Sequence, residues 1–182
     1  MSNDVLVIST SLHPNSKSRI LANAALKVLN RSVKAELVDL VEYELPLCDG
    51  GKAYSHHNVA KLNKLIKESA AIILASPIYN YSTSAAAKNL IEMTGNAWED
   101  KIVGFLCSAG GRSSYMSVMS LANNLMFDFR CVINPRFVYA DGSSFSDGAL
   151  ADKEIEERIE KLVASTIKLA GLNLSASSLK LC

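Results

Sequence analysis

The strongest constraint on the fold is a pattern that repeats along the chain. Five short runs rich in β-branched and other apolar residues alternate with longer segments in which apolar residues recur at helical spacing; the short runs are residues 4–9, 34–40, 70–76, 101–108 and 131–138. The first longer segment, for example, places Ile20, Leu21, Ala24 and Val28 on one helix face. This alternation predicts an α/β fold in which helices cover both faces of a five-stranded, mostly parallel sheet.

Parallel topology also predicts where a ligand binds. Each β–α–β crossover is expected to be right-handed, and five strands joined in this way most often take the order 2-1-3-4-5 or 3-2-1-4-5. In both orders, ligands bind beyond the carboxyl ends of the strands, where the strand order reverses. The loops after the first, third and fourth strands are therefore the expected places for chemistry.

Composition limits the partners of the chain. Its 182 residues, 49% of them hydrophobic, predict one domain over residues 1–182 with a flexible tail at 175–182. A formal net charge of +1 argues against non-specific nucleic-acid binding, and no apolar stretch has the length of a membrane span. Four scattered cysteines with no C-x-x-C pair predict buried thiols in a reducing cytoplasm. We expect a cytoplasmic protein that binds neither nucleic acid nor membrane.

The first loop, at residues 9–19, contains hydroxyls, an amide and cations just before a predicted helix. A helix N-terminus offers unpaired N–H groups and partial positive charge, and Lys17 or Arg19 can supply the balancing charge for an anion. Neither G-x-x-x-x-G-K-[ST] nor G-x-G-x-x-G occurs, so the common ATP and dinucleotide loops are excluded. The composition favours a phosphate-binding loop. The alternative is a polar turn in which Ser16 or Ser18 only caps the helix.

The third loop, at residues 76–84, follows a fully apolar strand and carries two tyrosines beside a proline. Aromatic rings next to backbone amides can enclose a planar heterocycle while N–H and C=O groups bind its edge. Tyr79 and Tyr81 are therefore candidate ligand contacts. For Tyr79 the alternative is an ordinary core position.

The fourth loop, at residues 108–115, has paired glycines at the point where a strand ends and a helix begins. Gly110 and Gly111 lack side chains, so the backbone there can approach a ligand closely. A plain tight turn is the competing interpretation.

Together these segments resemble the NADPH-dependent FMN reductase family of flavodoxin-like proteins, which includes flavin, quinone, azo-dye and chromate reductases. Residues 10–18 are similar to the family's GSxRxxSxN loop at the two serines Ser11 and Ser16, and differ from it at Thr10, His13 and Ser18. Because a histidine is mostly uncharged near neutral pH, His13 is expected to bind phosphate less strongly than the usual arginine.

Two further segments carry the resemblance. Residues 76–82 with Lys88 and Asn89 are similar to the family's TPEYNxS…LKNAID, with Ile78 where glutamate is usual. Residues 108–112 resemble the family's SxGGxxGG segment, although Ser113 and Ser114 replace the later glycines.

The resemblance implies a flavodoxin-like three-layer sandwich with strand order 2-1-3-4-5, bound FMN and NAD(P)H as co-substrate. Carried over by position, the residues around the FMN phosphate are Ser11, His13, Ser16, Lys17 and Ser18. Those that frame the isoalloxazine ring are Pro77, Ile78, Tyr79, Asn80, Tyr81, Ser108, Gly110 and Gly111. Arg112 is the candidate for the phosphates of NAD(P)H, with a surface arginine of no such role as the alternative.

The implied activity is a two-step exchange in which NAD(P)H gives hydride to the flavin and the reduced flavin passes electrons to a small acceptor: a quinone, free flavin, azo compound or metal oxyanion. No side-chain base is needed, so no catalytic residue is assigned. No metal is expected, since His56 and His57 have no spaced carboxylate or thiolate partner. Relatives often place FMN near a subunit interface, which implies a homodimer or homotetramer.

Two alternatives remain open at this point. A flavodoxin-type electron carrier would bind FMN without using NAD(P)H, but such carriers are strongly acidic around the flavin, whereas this chain is nearly neutral. A non-catalytic binding protein on the same fold is the second alternative, and the altered first loop is compatible with it.

Overall fold

Strands and helices alternate along residues 4–172, the part of the chain that the computed structural model describes. The strands are β1 (Val5–Ser9), β2 (Ala35–Asp39), β3 (Ala71–Tyr79), β4 (Ser82–Thr83), β5 (Ile102–Ser108), β6 (Val132–Ile133), β7 (Val138–Ala140), β8 (Phe145–Ser146) and β9 (Ala149–Leu150). The α-helices are α1 (Lys17–Leu29), α2 (His57–Glu68), α3 (Ala85–Thr94), α4 (Met119–Phe129) and α5 (Lys153–Leu169). The predicted tail at 175–182 lies outside the described residues.

The central sheet has the order β2-β1-β3-β5, and β6 and β7 both pair with the far edge of β5. These pairings are parallel: Val5 of β1 faces Ala35 of β2 on one side and Ala71 of β3 on the other. Counted along the chain, this is the predicted order 2-1-3-4-5, which is confirmed. The carboxyl ends of β1, β3, β5 and β7 therefore lie side by side at one edge.

The sheet has seven strands where five were predicted. The expected fifth strand, residues 131–138, is divided into β6 and β7, because Pro135 has no N–H for the ladder and Asn134 Oδ1 accepts the N–H of Arg136 in a local turn. The other extra strand is β4, which folds back antiparallel onto β3 through the pairs Ile78–Thr83 and Tyr79–Ser82.

Two apolar layers hold the helices to the sheet, one on each face. Helices α1 and α5 cover one face through residues that include Leu21, Leu29, Ile159 and Leu162 against Val5, Val7 and Ile73. Helices α2, α3 and α4 cover the other through residues that include Leu62, Leu90 and Leu125 against Leu6, Ile8 and Phe105. Alternate residues of each strand thus face opposite layers. Each fully buried leucine contributes roughly 1.5–3 kcal/mol, so both layers fix the strand ends that carry the loops.

Cys107 and Cys131 are buried, as predicted, and burial raises the thiol pKa of Cys107 to about 12 and that of Cys131 to about 11. Cys48 differs from the prediction because it is only partly buried, and its Sγ lies 3.5 Å from the hydroxyl of Tyr54. Within residues 4–172, no helix combines the length and apolarity that crossing a membrane would require.

Candidate functional site

The first loop, the β3–β4 turn and the loop after β5 meet at one edge of the sheet. Thr10 N donates to Ala75 O at 2.9 Å, which continues the β1–β3 ladder into the first loop. Pro77 of β3 is paired with Ser108 of β5, and Ala109 N donates to Ala140 O at 3.0 Å. Parallel pairing therefore brings the three sequence-predicted segments together.

A buried cluster of hydroxyls ties the first loop to the start of α3. Thr10 Oγ1 lies 3.2 Å from Ser84 Oγ, and Ser76 Oγ accepts the N–H of Ser84 at 3.2 Å. Ser84 also caps α3 by accepting the N–H of Ala87. None of these three hydroxyls was singled out from the sequence. The signals available were a polar residue directly after β1 (Thr10), one within the apolar strand β3 (Ser76) and one at the N-cap position of α3 (Ser84).

In the first loop, Ser16 is the N-cap of α1: its Oγ accepts the N–H of Arg19 at 3.1 Å and lies 2.9 Å from Ser18 Oγ. Both serines are buried, as is Ser11, whose Oγ accepts the N–H of His13. The capping role considered for Ser16 is thus observed. Capping leaves other N–H groups of the first helical turn without intrahelical acceptors, so an anion can still bind there.

His13 is exposed, and its Nδ1 accepts the N–H of Asn15 at 3.0 Å. An Nδ1 that accepts is unprotonated, so in this arrangement the proton of a neutral ring is on Nε2, which is left as a donor. The loop geometry therefore leaves Nε2 as the ring nitrogen of His13 that is available to a ligand.

The two cations considered for the first loop are held differently. Arg19 forms an ion pair with Asp39 at the end of β2, and its Nη1 donates to Pro14 O at 2.8 Å. Lys17 is exposed, and its Nζ lies 5.4 Å from the centroid of the Phe145 ring. Among residues 4–172, no carboxylate forms an ion pair with Lys17, whereas Asp39 balances the charge of Arg19, so Lys17 is the better placed of the two to pair with an anion.

The third segment is more regular than predicted, because β3 continues through Tyr79 and β4 begins at Ser82. Asn80 and Tyr81 form a two-residue turn with φ of 48° and 65°. Both angles are left-handed, as tight hairpin turns require, and a tyrosine there is strained. Tyr79 is 54% exposed and Tyr81 63%, so Tyr79 is not a core residue. Pro77 and Ile78, beneath them, are buried.

The loop after β5 is held from below by Tyr139 of β7. The Tyr139 hydroxyl donates to Gly111 O at 2.5 Å and lies 3.0 Å from Ser114 Oγ. A Cβ added to Gly110 or Gly111 would meet no atom within 4 Å, and neither glycine has a left-handed φ. Neither packing nor backbone conformation therefore requires glycine at these two positions. Ser108, at the end of β5, is buried.

Arg112 follows the glycines and is paired across the site with Asp141, the residue after β7, through Nε and Oδ2 at 2.7 Å. Asp141 Oδ1 accepts the Ser143 hydroxyl and the Ser143 N–H, at 2.5 and 2.8 Å. The Ser143 hydroxyl above all, and then Arg112, lower the pKa of Asp141 to about 2. Sequence reasoning missed Asp141, although the rule that selected the other loops applies equally to the end of this strand.

The residues at this edge suit a flat, anionic ligand. The uncapped N–H groups of the first turn of α1 and Lys17 lie on one side, the exposed tyrosines on another, and side-chain-free backbone between them. Ser9 Oγ, buried at the end of β1 beneath the first loop, has no hydrogen-bond partner in the described chain. Residues 4–172 contain no group of three His, Cys, Asp or Glu side chains placed to hold a metal ion.

Two open grooves run beside this edge between α3 and α4. The larger, of about 760 Å³, includes Cys48, Tyr54 and Phe127, and the smaller, of about 570 Å³, reaches Ser82 and Thr83 of β4. Phe127 is 84% exposed, and Met116 and Met119 are also exposed nearby on the chain. The α3–α4 side therefore presents apolar surface. Met116 lies just before α4 and Met119 at its start, on the side of the candidate site, whereas Phe127 lies near the end of α4, where Phe129 O accepts the N–H of Asp100 just before β5.

Comparison with known proteins gives a consistent result. A family model described as NADPH-dependent FMN reductase matches residues 3–144. The NAD(P)H-dependent FAD/FMN reductase of Geobacillus thermodenitrificans is 26% identical over 140 residues, which are 75% of this chain and 76% of that protein. The NAD(P)H:quinone oxidoreductase of Solanum tuberosum is 27% identical over 172 residues, covering 88% and 89% of the two chains.

Among solved structures, FerB from Paracoccus denitrificans, a flavoenzyme NAD(P)H:(acceptor) oxidoreductase, superposes with a TM-score of 0.75 at 21% identity. The match covers 93% of this chain and 97% of FerB. At this level of identity, the likeness shows that the fold is shared.

Proposed function

Since the chain belongs to the NADPH-dependent FMN reductase family, oxidoreductases that use FMN and NAD(P)H, we propose that it passes hydride from NAD(P)H through bound FMN to a small acceptor. The observation that carries the proposal is the glycine pair Gly110–Gly111. Protein packing places no demand for glycine there, yet the two residues lie where three loops of the sheet edge meet. A ligand that needs close backbone approach accounts for them.

The first loop supplies the proposed phosphate site. N–H groups of the first turn of α1 would donate to the phosphate, supported by hydroxyls and by the positive end of the helix. His13 would add one neutral donor through Nε2, and Lys17 the charge. The residues we assign to this site are Ser11, His13, Ser16, Lys17 and Ser18.

The β3–β4 turn and the glycine loop supply the proposed ring site. Bound FMN would provide the redox chemistry, by taking up a hydride and giving up electrons. Tyr79 and Tyr81 would cover the ring, and backbone N–H groups of Gly110 and Gly111 would bind its polar edge. The remaining residues we assign here are Pro77, Ile78, Asn80 and Ser108. No side chain of this set is needed as a general base, so we assign no catalytic residue.

Arg112 is the proposed contact for the phosphates of NAD(P)H, because its guanidinium is exposed next to the glycine loop. NAD(P)H and the electron acceptor would contact the same exposed flavin ring one after the other, which gives a two-step exchange. A quinone is the acceptor to test first, since the potato relative is named for it.

Three broader proposals accompany this function. We propose that residues 1–182 form a single domain, since one sheet and its two apolar layers connect the described elements. We propose a homodimer whose contact includes the exposed apolar side of α4 around Phe127. We propose a cytoplasmic location, in line with the absence of any C-x-x-C motif in the sequence and with the free thiols of Cys107 and Cys131.

The function is tested on the purified protein with FMN added. We expect saturable FMN binding, bleaching of the flavin absorbance by NADPH without air, and its return when a quinone is added. Bleaching that fails although FMN binds would support an electron carrier, and failure to bind FMN would overturn both interpretations.

Substitutions at Gly110 and Gly111 test whether a ligand needs these glycines. Gly110→Ala and Gly111→Ala should leave the unfolding midpoint nearly unchanged, because a Cβ there meets no atom within 4 Å. Gly110→Val and Gly111→Val, whose branched side chains reach further into the site, should weaken FMN binding at least tenfold. Gly104→Ala is the matched control: its Cβ would lie 2.9 Å from Leu162 Cδ1, so that variant should lose stability. Valine variants that bind FMN normally would remove the main support for the proposal.

A further inference from the structure

We infer that Asp141 is a positioning residue that aims Arg112 at the phosphates of NAD(P)H, an inference that rests on the proposed function of this site. It is carried by the geometry of the Arg112–Asp141 pair and by the way the loop after β7 is fixed against the other two loops.

The pair is unequal in exposure. The Arg112 side chain is 87% exposed, whereas that of Asp141 is 12% exposed. An exposed, flexible arginine is held at one end by a carboxylate that is itself enclosed. Because the contact uses Nε, both Nη groups remain free of hydrogen bonds to the described residues and can form the two-pronged contact that arginine makes with phosphate.

Asp141 is itself immobilised. Its Oδ1 accepts two hydrogen bonds from Ser143, and its backbone O begins the short turn Gly142–Ser144 by accepting the N–H of Ser144 at 3.2 Å. These bonds and Arg112 keep the pKa of the carboxyl low, so it is ionised across the physiological range. The carboxylate is thus a fixed anchor and not a proton donor.

The loop that carries Asp141 also lies close to Lys17, the other cation of the site. A Cβ added to Gly142 would lie 3.6 Å from both Gly110 O and Lys17 Nζ. The residue after Asp141 therefore touches the glycine loop and the start of α1 together. The loop after β7 therefore borders the site close to both of its cations, Arg112 and Lys17.

A fixed carboxylate beside an anionic substrate also repels that substrate, and this repulsion makes the inference testable. If Asp141 acted only through its charge, it would repel NADPH, and its removal would tighten binding. If it acts by orienting Arg112, its removal frees the arginine to sample many rotamers and weakens binding. The two roles predict changes of opposite sign.

The experiment compares Asp141→Ala, Asp141→Glu, Arg112→Ala and the double variant D141A/R112A in the FMN-loaded protein. The measurements are KM and kcat for NADPH with a quinone, the Kd of NADP⁺ by calorimetry, and the Kd of FMN by fluorescence quenching. The charge-matched control is Glu160→Gln, which removes a carboxylate paired with Arg31 at 3.2 Å on the α1–α5 side.

For D141A we expect KM for NADPH and Kd for NADP⁺ to rise about fivefold to tenfold, with kcat and the Kd of FMN within about twofold of wild type. D141E should recover most of the loss, and the double variant should be no worse than R112A, because the two residues act through one contact. E160Q should change none of these values.

A D141A variant that binds NADP⁺ as tightly as wild type or tighter, that loses FMN affinity, or whose effect adds fully to that of R112A would overturn the inference. Its failure is separable from that of the proposed function. If the wild-type protein binds NADP⁺ but its FMN is not reduced by NADPH, the proposed reductase function is wrong, and the Asp141 comparison still tests the inference through the Kd of NADP⁺. If the wild-type protein does not bind NADP⁺, both the proposed function and the inference are wrong.

Discussion

Thr10 Oγ1 lies 3.2 Å from Ser84 Oγ, and this contact joins the loop after β1 to the first residue before α3. Ser84 Oγ also lies 3.3 Å from Thr10 O, to which it can donate. One buried side chain thus links the proposed phosphate loop to the turn that carries the tyrosines. Together with the β1–β3 ladder and the bond from Thr10 N to Ala75 O, it fixes the relative position of the two halves of the site.

Replacing Ser84 with alanine should destabilise the protein by about 1–2 kcal/mol, because it removes the α3 N-cap and one contact of each of the buried Thr10 and Ser76 hydroxyls, which keep Ala75 O and Pro77 O as acceptors. Urea unfolding measures this change. Ser120→Ala on the exposed side of α4 is the control and should alter stability by less than about 0.5 kcal/mol. Equal effects of the two substitutions would show that the hydroxyl cluster is unimportant.

Replacing Tyr81 with glycine should separate stability from binding. A left-handed φ costs an L-residue roughly 1–2 kcal/mol, and glycine returns roughly 0.5–1 kcal/mol of this in added chain entropy. We therefore expect the free energy of unfolding to stay the same or to rise by up to about 1 kcal/mol. FMN should bind about tenfold more weakly, because the tyrosine ring that would cover the flavin is gone. Urea unfolding and flavin fluorescence quenching measure the two quantities.

Tyr54→Ala, which removes an exposed tyrosine from the α3–α4 groove, should leave FMN affinity unchanged. If the Tyr81 variant bound FMN as wild type does, the strained turn would have no explanation in flavin binding.

The apolar runs themselves could be predicted, because buried strands such as β1 and β3 are legible without tertiary information. Their alternation left two strand orders open, and the order 2-1-3-4-5 came from the family resemblance. The division of the last strand has one local signal, Pro135. Its other cause could not be predicted, because the Asn134 side chain is held by Leu162 O and Thr166 Oγ1 of α5. A local pattern does not contain a partner 28 to 32 residues away.

For the candidate site, the parallel sheet was enough to predict that the three loops share one edge. It could not predict which cation is free: Arg19 is paired with Asp39, and Lys17 lies over Phe145. The Arg112–Asp141 pair joins residues 29 positions apart whose loops meet only after folding. The flavin and nucleotide contacts themselves stay predictions.

Replacing His13 with arginine should tighten FMN binding about tenfold, because a charge-assisted contact to phosphate replaces a neutral one. The structure supplies a control, since the Asn side chain can also accept the N–H of residue 15: His13→Asn keeps the turn without adding charge. Added salt should reduce the gain of H13R. Unchanged FMN affinity in H13R would show that residue 13 does not contact the phosphate.

Asp141 should make the stability of the protein depend on pH in a defined window. Its pKa is about 2 in the folded protein against an ordinary value of 3.8, so it stabilises the fold above pH 3.8, and this contribution disappears as the pH falls through about 2. The difference in unfolding free energy between wild type and Asp141→Asn, measured by urea unfolding, should therefore be constant from pH 7 to 5 and shrink below pH 4.

Because the Ser143 hydroxyl is the largest cause of the low pKa of Asp141, Ser143→Ala should raise that pKa more than Arg112→Gln does. Carboxyl NMR measures the pKa in each variant. The opposite order would mean that Arg112, and not the Ser143 turn, holds the carboxylate in its ionised form.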